Sequence, residues 1–327
     1  MSDPCVLTLT LNPALDLTTR IARLEPQVKL PAERPRVDPG GGGVNVARMI
    51  TRLGGLPVTA LVALGGGVGA RYRRHLVQEG LAHEVFPIAG ETRETWQFMV
   101  REAPPGTLYR IVLPGPEWGA DEAASLLAIV RRRLAEDPPA WLVLSGSLPA
   151  GLDPDFYGRI VRICRRAAPA TRIALDTRGA ALVAGLKAGV DLVKPDRHEV
   201  CDLARALGAG EGTLLTLARR IVAQGCTRVF VYTLGADGAV VVTAEDAWRW
   251  RPPMVEVHSL VGAGDHFLGA LIRRRLAGDD WRVASRFAMA AAAATAETPG
   301  TTPPDPVRIR ELAGLVEEAD PAVGSCE

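Results

Sequence analysis

The chain contains 327 residues, of which 47% are hydrophobic and 23% are charged, a composition typical of a soluble protein with one large domain or two ordinary ones. The formal net charge of +1 provides no overall attraction for nucleic acid or an anionic membrane. No stretch reaches the roughly 18 uncharged apolar residues that span a bilayer, and the N-terminus lacks the pattern of a signal peptide. A cytoplasmic location is therefore expected.

Cysteine spacing argues against a disulfide framework and against a zinc site. The count is odd and no CxxC spacing occurs, whereas both kinds of site need cysteines at characteristic distances. We therefore expect buried or incidental thiols in a reducing cytosol. The five cysteines are Cys5, Cys164, Cys201, Cys226 and Cys326.

Short apolar runs bounded by turn residues alternate with amphipathic stretches along most of the chain. The first run, residues 6–11, ends at Asn12-Pro13 and predicts a strand followed by a turn. Alternation of buried strands with helices is typical of a doubly wound, mostly parallel α/β sheet with helices on both faces. Further predicted strands cover residues 58–64, 141–144, 173–175, 192–193 and 229–232, and predicted helices cover residues 44–53, 121–135, 155–167, 197–207 and 213–224.

Two segments, residues 15–37 and 92–113, interrupt this alternation because their β-rich patterns have no helix between them. They predict a small antiparallel sheet inserted into the α/β core. Such a sheet would expose an apolar face, so it would cover a cleft or pair with a second copy of the chain. The predicted core comprises residues 1–13, 39–90 and 115–327, including a helix-rich tail at 281–318, and the predicted sheet comprises residues 14–38 and 91–114.

The run of residues 261–265, Val-Gly-Ala-Gly-Asp, precedes an amphipathic segment at 266–276. Free N–H groups at the start of a helix form an anion site, which a phosphoryl group in transfer requires. Gly262, Ala263 and Gly264 would supply these amides. Asp265, kept ionised by the helix N-terminus, would accept the proton of an attacking hydroxyl. The alternative is an Asp that only caps the helix.

Four consecutive glycines at residues 40–43 lead into Val44-Asn45. A close contact between backbone and ligand would justify the entropic cost of this run, and Asn45 can both donate to and accept from sugar hydroxyls. A flexible hinge is the alternative. The glycine-rich residues 65–69 lack the complete dinucleotide fingerprint, so we interpret them as a strand-to-helix turn. A Walker A sequence is absent, which disfavours a P-loop kinase.

Two further turns could contact a nucleotide. Residues 192–199 follow a strand and enter a helix, so Lys194 could reach phosphates and Glu199 could hold a hydrated Mg²⁺ through water. A solvated helix start is the commoner explanation. Residues 232–239 join two apolar runs, and Asp237-Gly238 predicts a hairpin, whose backbone amides could also meet a phosphate.

Four charged residues outside these motifs have side chains suited to a phosphosugar. Asp16 soon follows the first strand, and a carboxylate suits sugar hydroxyls. Lys29, Arg93 and Arg110 lie in the inserted sheet, where an arginine could hold a phosphate through two hydrogen bonds. Each of these residues taken alone is more often a surface charge.

In this order, the motifs resemble those of the ribokinase/PfkB family of carbohydrate kinases over residues 6–303. Residues 261–265 are similar to the family's C-terminal signature, and residues 41–45 to its N-terminal one. Residues 10–16 and 145–149 are similar to the branch that phosphorylates sugar phosphates. The four glycines are most similar to those of the minor bacterial 6-phosphofructokinases. The resemblance implies a ribokinase-like core with a β-sheet lid that often forms the dimer contact.

The resemblance also implies a role for each matching residue. ATP and Mg²⁺ would be the cofactors, with K⁺ as a further one, and Glu199 would serve the metal. One lid residue would come from a partner subunit in a homodimer. The sugar would be bound by Asp16, Gly41, Gly42 and Asn45, its phosphate end by Lys29, Arg93, Arg110 and Ser147, and the nucleotide by Lys194, Asp196, Glu199, Thr233, Gly235 and Gly238.

Three features depart from the family pattern. Asp196 stands where Asn is usual, and its negative charge would tighten metal binding or repel the nucleotide. His266 follows the catalytic Asp where Ser or Thr is usual, and it could titrate near neutral pH. Thr298 and Thr302 stand near the usual positions of Asn and Arg, which weakens the case for a monovalent-cation or nucleotide contact there.

The expected reaction is transfer of the ATP γ-phosphoryl group to O1 of fructose 6-phosphate, with Asp265 as the base. Activity as a 1-phosphofructokinase or a tagatose-6-phosphate kinase is the alternative within this fold. A non-catalytic sensor of sugar phosphates or nucleotides is the alternative outside catalysis. A dehydrogenase is disfavoured because a complete dinucleotide-binding loop is missing.

Overall fold

The computed structural model describes residues 5–102, 107–324 and 326. It contains the strands and helices that the apolar runs and amphipathic stretches predict, and it adds several that they do not predict, among them a strand at Glu317–Ala319 and a helix at Gly179–Lys187. The strands are β1 (Val6–Thr10), β2 (Ala14–Ile21), β3 (Arg36–Gly40), β4 (Val58–Leu64), β5 (His83–Pro87), β6 (Arg93–Val100), β7 (Leu108–Val112), β8 (Trp141–Ser145), β9 (Arg172–Asp176), β10 (Val190–Val193), β11 (Thr227–Thr233), β12 (Ala239–Val242), β13 (Ala247–Arg251) and β14 (Glu317–Ala319). The helices are α1 (Gly42–Leu53), α2 (Gly66–Gln78), α3 (Ala120–Glu136), α4 (Phe156–Ala167), α5 (Gly179–Lys187), α6 (Arg197–Ala206), α7 (Leu214–Ala223), α8 (Ala263–Leu276), α9 (Trp281–Ala296) and α10 (Pro306–Ala313).

The larger sheet has the strand order β14-β13-β12-β11-β10-β9-β8-β1-β4-β5 within the described residues. Neighbouring strands from β5 to β11 are parallel, and the pairs from β11 to β14 are antiparallel. Alternate residues enter two apolar clusters: Leu142 and Leu144 pack with α3 to α7, and Trp141 and Val143 pack with α1, α2 and α8 to α10. Burial on both faces confirms the predicted doubly wound core.

Strand order reverses at β1, which pairs with β4 on one side and with β8 on the other. In open α/β sheets, ligands bind in the crevice beyond the carboxyl ends of the strands at such a switch point. The carboxyl ends of β1 and β8 are Thr10 and Ser145. The topology therefore places the candidate site at this edge of the sheet.

The second sheet has the strand order β3-β2-β6-β7 and corresponds to the predicted insertion. Its outer pairs are antiparallel as predicted, but the central pair β2–β6 is parallel. Both central strands leave the core in the same direction, since Ala14 at the start of β2 lies opposite Arg93 at the start of β6. The predicted ranges also include residues 1–4, 103–106, 325 and 327, which lie outside the described residues.

The C-terminal tail corrects the prediction about thiols. Cys201 in α6 forms a disulfide with Cys326, while Cys5, Cys164 and Cys226 are free. The two partners are 125 residues apart in the sequence, and only the fold decides which distant cysteines meet. Helix α9 packs its alanines into the core. None of the helices in the described residues combines the length and the apolar composition that crossing a bilayer requires.

Candidate active site

A cavity of about 390 Å³ opens at the carboxyl ends of β1, β8 and β9, beside the N-termini of α1 and α8. The switch point of the sheet therefore coincides with a concave site that carries both signatures. The cavity also reaches β2, β6 and β7 of the smaller sheet, which forms one of its walls. Of the predicted residues, those that line the cavity are Asp16, Gly41, Gly42, Asn45, Arg93, Arg110, Ser147, Glu199, Gly262 and Asp265.

Asp265 lies in the first turn of α8, directly after the glycine-containing turn. Gly262 precedes the helix in the left-handed region, with φ of 82°, a conformation that favours glycine. The amides that follow have no acceptor within the helix. Asn45 Nδ2 donates a hydrogen bond of 2.8 Å to Asp265 Oδ2. The two signatures, far apart in the sequence, thus form one constellation of carboxylate, amide and free backbone N–H groups.

The charge on Asp265 is set by its enclosed position. Its pKa is raised to about 6, chiefly by burial and then by the nearby carboxylate of Asp176, while the hydrogen bond from Asn45 and the charges of Lys194 and Arg110 oppose the rise. The helix N-terminus was expected to keep Asp265 ionised, and burial acts against that effect. The carboxylate is therefore a stronger base than an exposed Asp and is still largely ionised at pH 7.

His266 turns away from the cavity and does not titrate near neutral pH, contrary to the prediction. The side chain is 0% exposed, and burial lowers its pKa to about 3. Its Nδ1 lies 2.9 Å from Thr295 Oγ1, and Thr295 Oγ1 donates to the carbonyl of Ala291 at 2.7 Å. Nδ1 therefore carries the proton of a neutral ring. Position 266 faces the core, because successive side chains of a helix point about 100° apart and Asp265 faces the cavity.

Asp16 in β2 is the second buried carboxylate of the cavity, with 4% exposure. Burial raises its pKa to about 6, opposed by Arg110 and by a hydrogen bond from Thr95. A Cβ at Gly40 would lie 2.2 Å from Asp16 Oδ2, so only glycine fits beside this side chain. A carboxylate held in this way can accept hydrogen bonds from hydroxyl groups in the cavity.

The four glycines are packed tightly, which contradicts the alternative of a flexible hinge. Gly41 has φ of 132°, and a Cβ there would lie 2.6 Å from Thr10 Cγ2. A Cβ at Gly42 would lie 2.1 Å from Ser145 Oγ, and one at Gly43 would lie 2.6 Å from the carbonyl oxygen of Leu9. The N-terminus of α1 can approach β1 and β8 only without side chains.

Arg93, Arg110 and Ser147 supply further polar side chains to the lining of the cavity. Arg93 donates through Nε and Nη2 to the carbonyl of Asn12, at 3.3 and 3.0 Å. Asn12 Nδ2 donates to Ser147 Oγ at 3.2 Å. Arg110 reaches the same wall from β7. Lys29, by contrast, is exposed in the loop after β2 and is not among the residues lining the cavity in the single chain.

Lys194 lies just beyond β10 with 7% exposure, and its Nζ is 3.1 Å from Asp176 Oδ1. Asp176, the last residue of β9, lines the cavity but was not predicted. Thr10 and Ser145 were missed as well. Their Oγ atoms are buried at the cavity wall without a partner in the described part of the chain. The signal that identifies all three missed residues is their position at the carboxyl ends of parallel strands near the switch point.

Asp196 and Glu199 form a reciprocal cap at the start of α6. Asp196 Oδ1 accepts from the backbone N–H groups of His198 and Glu199, and Glu199 Oε2 accepts from the N–H of Asp196 at 2.9 Å. Asp196 is exposed and outside the cavity lining, so its charge has a structural use at the helix N-terminus. Glu199 borders the cavity, and burial raises its pKa.

The predicted hairpin after β11 is confirmed, because β11 and β12 pair antiparallel around residues 234–238. Gly235 and Gly238 have φ of 61° and 97°. Thr233 N donates to the carbonyl of Pro195 at 3.2 Å, which places this turn beside the start of α6. Thr233, Gly235 and Gly238 are thus next to Glu199 but outside the lining of the cavity.

The turn at residues 298–302 closes on itself through side chains. Thr298 Oγ1 lies 2.8 Å from the carbonyl oxygens of both Thr295 and Thr302. Arg36 Nη2 donates to Thr302 Oγ1 at 2.7 Å. In this structure the two threonines therefore serve the conformation of the turn.

Residues 4–308 match the family described as pfkB family carbohydrate kinase. The chain is 38% identical over 298 residues to ATP-dependent 6-phosphofructokinase isozyme 2 of Mycobacterium tuberculosis (strain CDC 1551 / Oshkosh), covering 91% of this chain and 86% of that protein. It is 32% identical over 313 residues to 1-phosphofructokinase of Rhodobacter capsulatus, covering 95% of this chain and 96% of that protein.

Among solved structures, phosphofructokinase-2 from Escherichia coli in complex with fructose-6-phosphate is similar, with a TM-score of 0.84 and 29% sequence identity. The similarity covers 95% of this chain and 99% of that chain. Sequence and fold therefore agree over nearly the whole length, and both signatures meet in one cavity. The chain belongs to the pfkB family of carbohydrate kinases.

Proposed function

We propose that the protein transfers the γ-phosphoryl group of ATP to O1 of fructose 6-phosphate. The observation that carries the proposal is that one cavity is lined by Asp265 and Gly262 at the N-terminus of α8 and also by Arg93 and Arg110. A base beside free amides suits phosphoryl transfer, and two guanidinium groups suit a sugar phosphate. The name of the relative that is 38% identical supports the same substrate.

In the proposed complex, the sugar lies between Asp265 and the two arginines, Arg93 and Arg110. Asp16 and Asn45 bond to its hydroxyl groups, and the backbone at Gly41 and Gly42 approaches it closely. Burial of Asp16 makes a hydrogen bond to its carboxylate stronger than one at the surface. An unphosphorylated sugar would leave the arginines without an anion, which favours phosphosugars.

The nucleotide approaches along the edge formed by the start of α6 and the turn after β11. Lys194 and the backbone at Thr233, Gly235 and Gly238 contact it in this proposal. Mg²⁺ fits Glu199 on chemical grounds: the described residues contain no group of three acidic, His or Cys ligands, and Mg²⁺ is usually held by one or two carboxylates, waters and substrate phosphates. Bound Mg²⁺ would neutralise charge on the phosphates.

The chemical step requires removal of one proton and stabilisation of the transferred group. Asp265 accepts the proton of the attacking hydroxyl as its oxygen bonds to the γ-phosphorus, and the bond between that phosphorus and the β–γ bridging oxygen breaks to leave ADP. The amides of Gly262, Ala263 and Gly264 stabilise the charge on the transferred oxygens. Closure of the smaller sheet over the cavity would exclude water and suppress ATP hydrolysis.

We also propose a homodimer formed through the smaller sheet. Leu108, Tyr109, Ile111, Val112 and Leu113 are all between 40% and 53% exposed, and an exposed apolar edge strand favours pairing with another chain. In such a dimer, Lys29 would act at the cavity of the other subunit. Because ATP and sugar phosphates are cytoplasmic metabolites, the proposal includes a cytoplasmic location. A stimulation by K⁺ over Na⁺ stays a prediction of the family resemblance.

The alternative substrates keep the same mechanism. The relative from Rhodobacter capsulatus, named 1-phosphofructokinase, favours fructose 1-phosphate as the second candidate, and tagatose 6-phosphate is the third. The sensor hypothesis loses its basis, because it assigned the loss of chemistry to Asp196 and His266. These residues cap α6 and pack in the core, respectively.

The test is ADP release at equal concentrations of fructose 6-phosphate, fructose 1-phosphate, tagatose 6-phosphate, ribose and adenosine. We expect the highest kcat/KM with fructose 6-phosphate. Fastest turnover of ribose or adenosine would overturn the phosphosugar assignment. Sugar-phosphate binding without ADP release, in the presence of ATP and Mg²⁺, would instead support the sensor.

A further inference from the structure

Arg48 occupies an unusual position for an arginine, because it is 5% exposed and lies one helical turn after Asn45 in α1. Its Nε and Nη2 donate to the two carboxylate oxygens of Glu79, at 2.7 and 2.8 Å. Its Nη1 donates to the carbonyl oxygen and to Oγ1 of Thr301, at 2.7 and 2.8 Å. A guanidinium has donors only, arranged in a rigid fork. Arg48 therefore fixes three segments of the chain relative to one another.

The guanidinium group of Arg48 also reaches toward Asn45, the partner of Asp265. Arg48 Nη1 lies 3.4 Å from Asn45 Oδ1, and Asn45 Nδ2 donates to Asp265 Oδ2. A side-chain amide can in principle be turned either way, with its oxygen and nitrogen exchanged. If Asn45 were turned over, its NH₂ group would face the Arg48 donors and its oxygen would face the Asp265 carboxylate. Arg48 thus makes one orientation of the amide strongly preferred.

The same arginine supports the amide-rich turn before α8. A Cβ at Gly262 would lie 3.4 Å from Asn45 Nδ2 and 3.7 Å from Thr301 Cβ. The side chains of Asn45 and Thr301 therefore pack directly against that turn. Both are bonded to Arg48. Burying an ion pair is a weak way to stabilise a fold, whereas a fixed fork is an effective way to hold groups in place.

We infer that Arg48 is a positioning residue for phosphoryl transfer: it orients Asn45 toward Asp265 and holds the turn at Gly262. This inference rests on the proposed function and adds to it a residue that does not line the cavity. Arg48 acts through Asn45 and Thr301 and does not contact the substrate itself.

The expected pH effect depends on the groups around Asp265 and on those around Arg48. Asp265 faces Asn45 on α1, Asp176 at the end of β9, Lys194 after β10 and Arg110 on β7. The hydrogen bond from Asn45 lowers the pKa of Asp265, so a freed Asn45 would let that pKa rise. The acidic limb of kcat should then move to higher pH.

Arg48 itself is held in place by groups on several neighbouring segments. Glu79 is its direct partner, and Asp38 Oδ1 lies 3.9 Å from its Nη2. His266 on α8 is close enough for the charge of Arg48 to lower the histidine pKa, so that ring stays neutral. On α2, burial raises the pKa of the Tyr72 hydroxyl well above its usual value, and the nearby charge of Arg48 opposes this rise. The neutral His266 and Tyr72 therefore do not replace Asn45 in the expected effect.

The test is a double-mutant cycle of Arg48→Gln and Asn45→Ala, with kcat measured at saturating ATP and fructose 6-phosphate. We expect Arg48→Gln alone to lower kcat by about 10- to 100-fold, a loss typical of a misplaced catalytic group. In the Asn45→Ala background, the same substitution should lower log kcat by less than about a third as much, since the effects of coupled residues are not additive. Fully additive losses would overturn the inference.

Arg52→Gln is the matched control, because Arg52 lies one turn further along α1 and pairs with Asp305 at the surface. It should leave kcat and its pH profile unchanged. Arg48→Lys keeps the charge without the fork, and it should lie between wild type and Arg48→Gln. If Arg48→Gln does not fold, the cycle is run with Arg48→Lys, where the same comparison applies.

A readout without turnover separates this inference from the proposed function. Wild-type ADP release decides the proposed function by itself. ¹³C NMR titration of the Asp265 carboxyl group in wild type and in Arg48→Gln reports whether the arginine acts on the base. We expect a higher midpoint in the variant, and an unchanged midpoint in a folded variant would contradict the role of Arg48 even if the kinase assignment stands.

Discussion

Asp265 combines two properties that a phosphoryl-transfer base needs: it lies beside free amides, and its pKa is raised to about 6 by burial. Only the carboxylate can accept the substrate proton. Because the pKa is raised, the protonated form accumulates from about pH 6 downward, and activity is lost on the acid side.

We therefore predict that kcat at saturating substrates is level near pH 7–8 and falls by about tenfold per pH unit well below pH 6. Saturation matters because Asp16, whose pKa is also about 6, affects kcat/KM through sugar binding. Asp265→Asn should lower kcat on the order of 10²–10⁴-fold and remove this acidic limb. If the variant keeps the same limb and near-normal turnover, Asp265 is not the base.

The packing of Gly42 makes a second residue-scale prediction. A Cβ at this position would lie 2.1 Å from Ser145 Oγ and 3.2 Å from Asp265 Oδ1, so Gly42→Ala should displace the start of α1 and lower kcat by about 100-fold. The matched control is Gly67→Ala in the first turn of α2, where a Cβ meets nothing within 4 Å. The control should keep wild-type kcat and gain up to about 1 kcal/mol of stability. Equal kcat in both variants would refute the close-packing argument.

At the scale of elements, the sequence predicted most of the core because buried parallel strands have continuous apolar runs that turns interrupt. It did not predict β14 (Glu317–Ala319), whose sequence Glu-Glu-Ala has no strand preference and which forms only by pairing with β13. The parallel pair β2–β6 was missed because local alternation does not encode strand direction. Contacts between distant elements, such as Lys194 with Asp176 or Arg48 with Thr301, also have no local pattern.

The candidate site was predicted better than those contacts because its glycine-rich turns are local patterns with a known physical use. Ten of the predicted residues line one cavity, although they come from segments spread over most of the chain. Charge tuning could not be predicted, since burial depends on the whole fold. The raised pKa of Asp265 and the neutral, buried ring of His266 are the clearest cases.

Strand β7 supports a prediction about assembly. Ile111 is 53% exposed on this edge strand, so Ile111→Glu should place a charge in the proposed dimer contact and convert the dimer to a monomer. Val307 on α10 has the same 53% exposure outside the smaller sheet, which makes Val307→Glu the matched control. Analytical ultracentrifugation at micromolar concentration measures both variants. A wild-type monomer, or an Ile111→Glu dimer as stable as the control, would contradict the interface.

At the scale of the whole molecule, the part of the C-terminal tail after residue 308, where the family match ends, joins regions that are distant in sequence. It adds β14 to the sheet edge and places Cys326 beside Cys201 on α6, the helix that also carries Glu199. Disulfides are rare in the cytosol of mesophiles, so the effect of oxidising or reducing the pair Cys201–Cys326 on the stability of the protein is worth measuring.

The disulfide closes a loop of 125 residues, so it should stabilise the fold by about 2–4 kcal/mol, chiefly by restricting the unfolded chain. We predict that the oxidised wild type has a higher Tm than the reduced wild type. The Tm of Cys326→Ser should equal that of the reduced wild type and should not change when reductant is added. The tail should stay docked after reduction because β14 still pairs with β13, so the loss is partial. Cys226→Ser, which removes a partly exposed free thiol, should keep the redox dependence of wild type. A Tm that does not respond to reductant in wild type, together with alkylation of all five cysteines before reduction, would show that the pair is not formed.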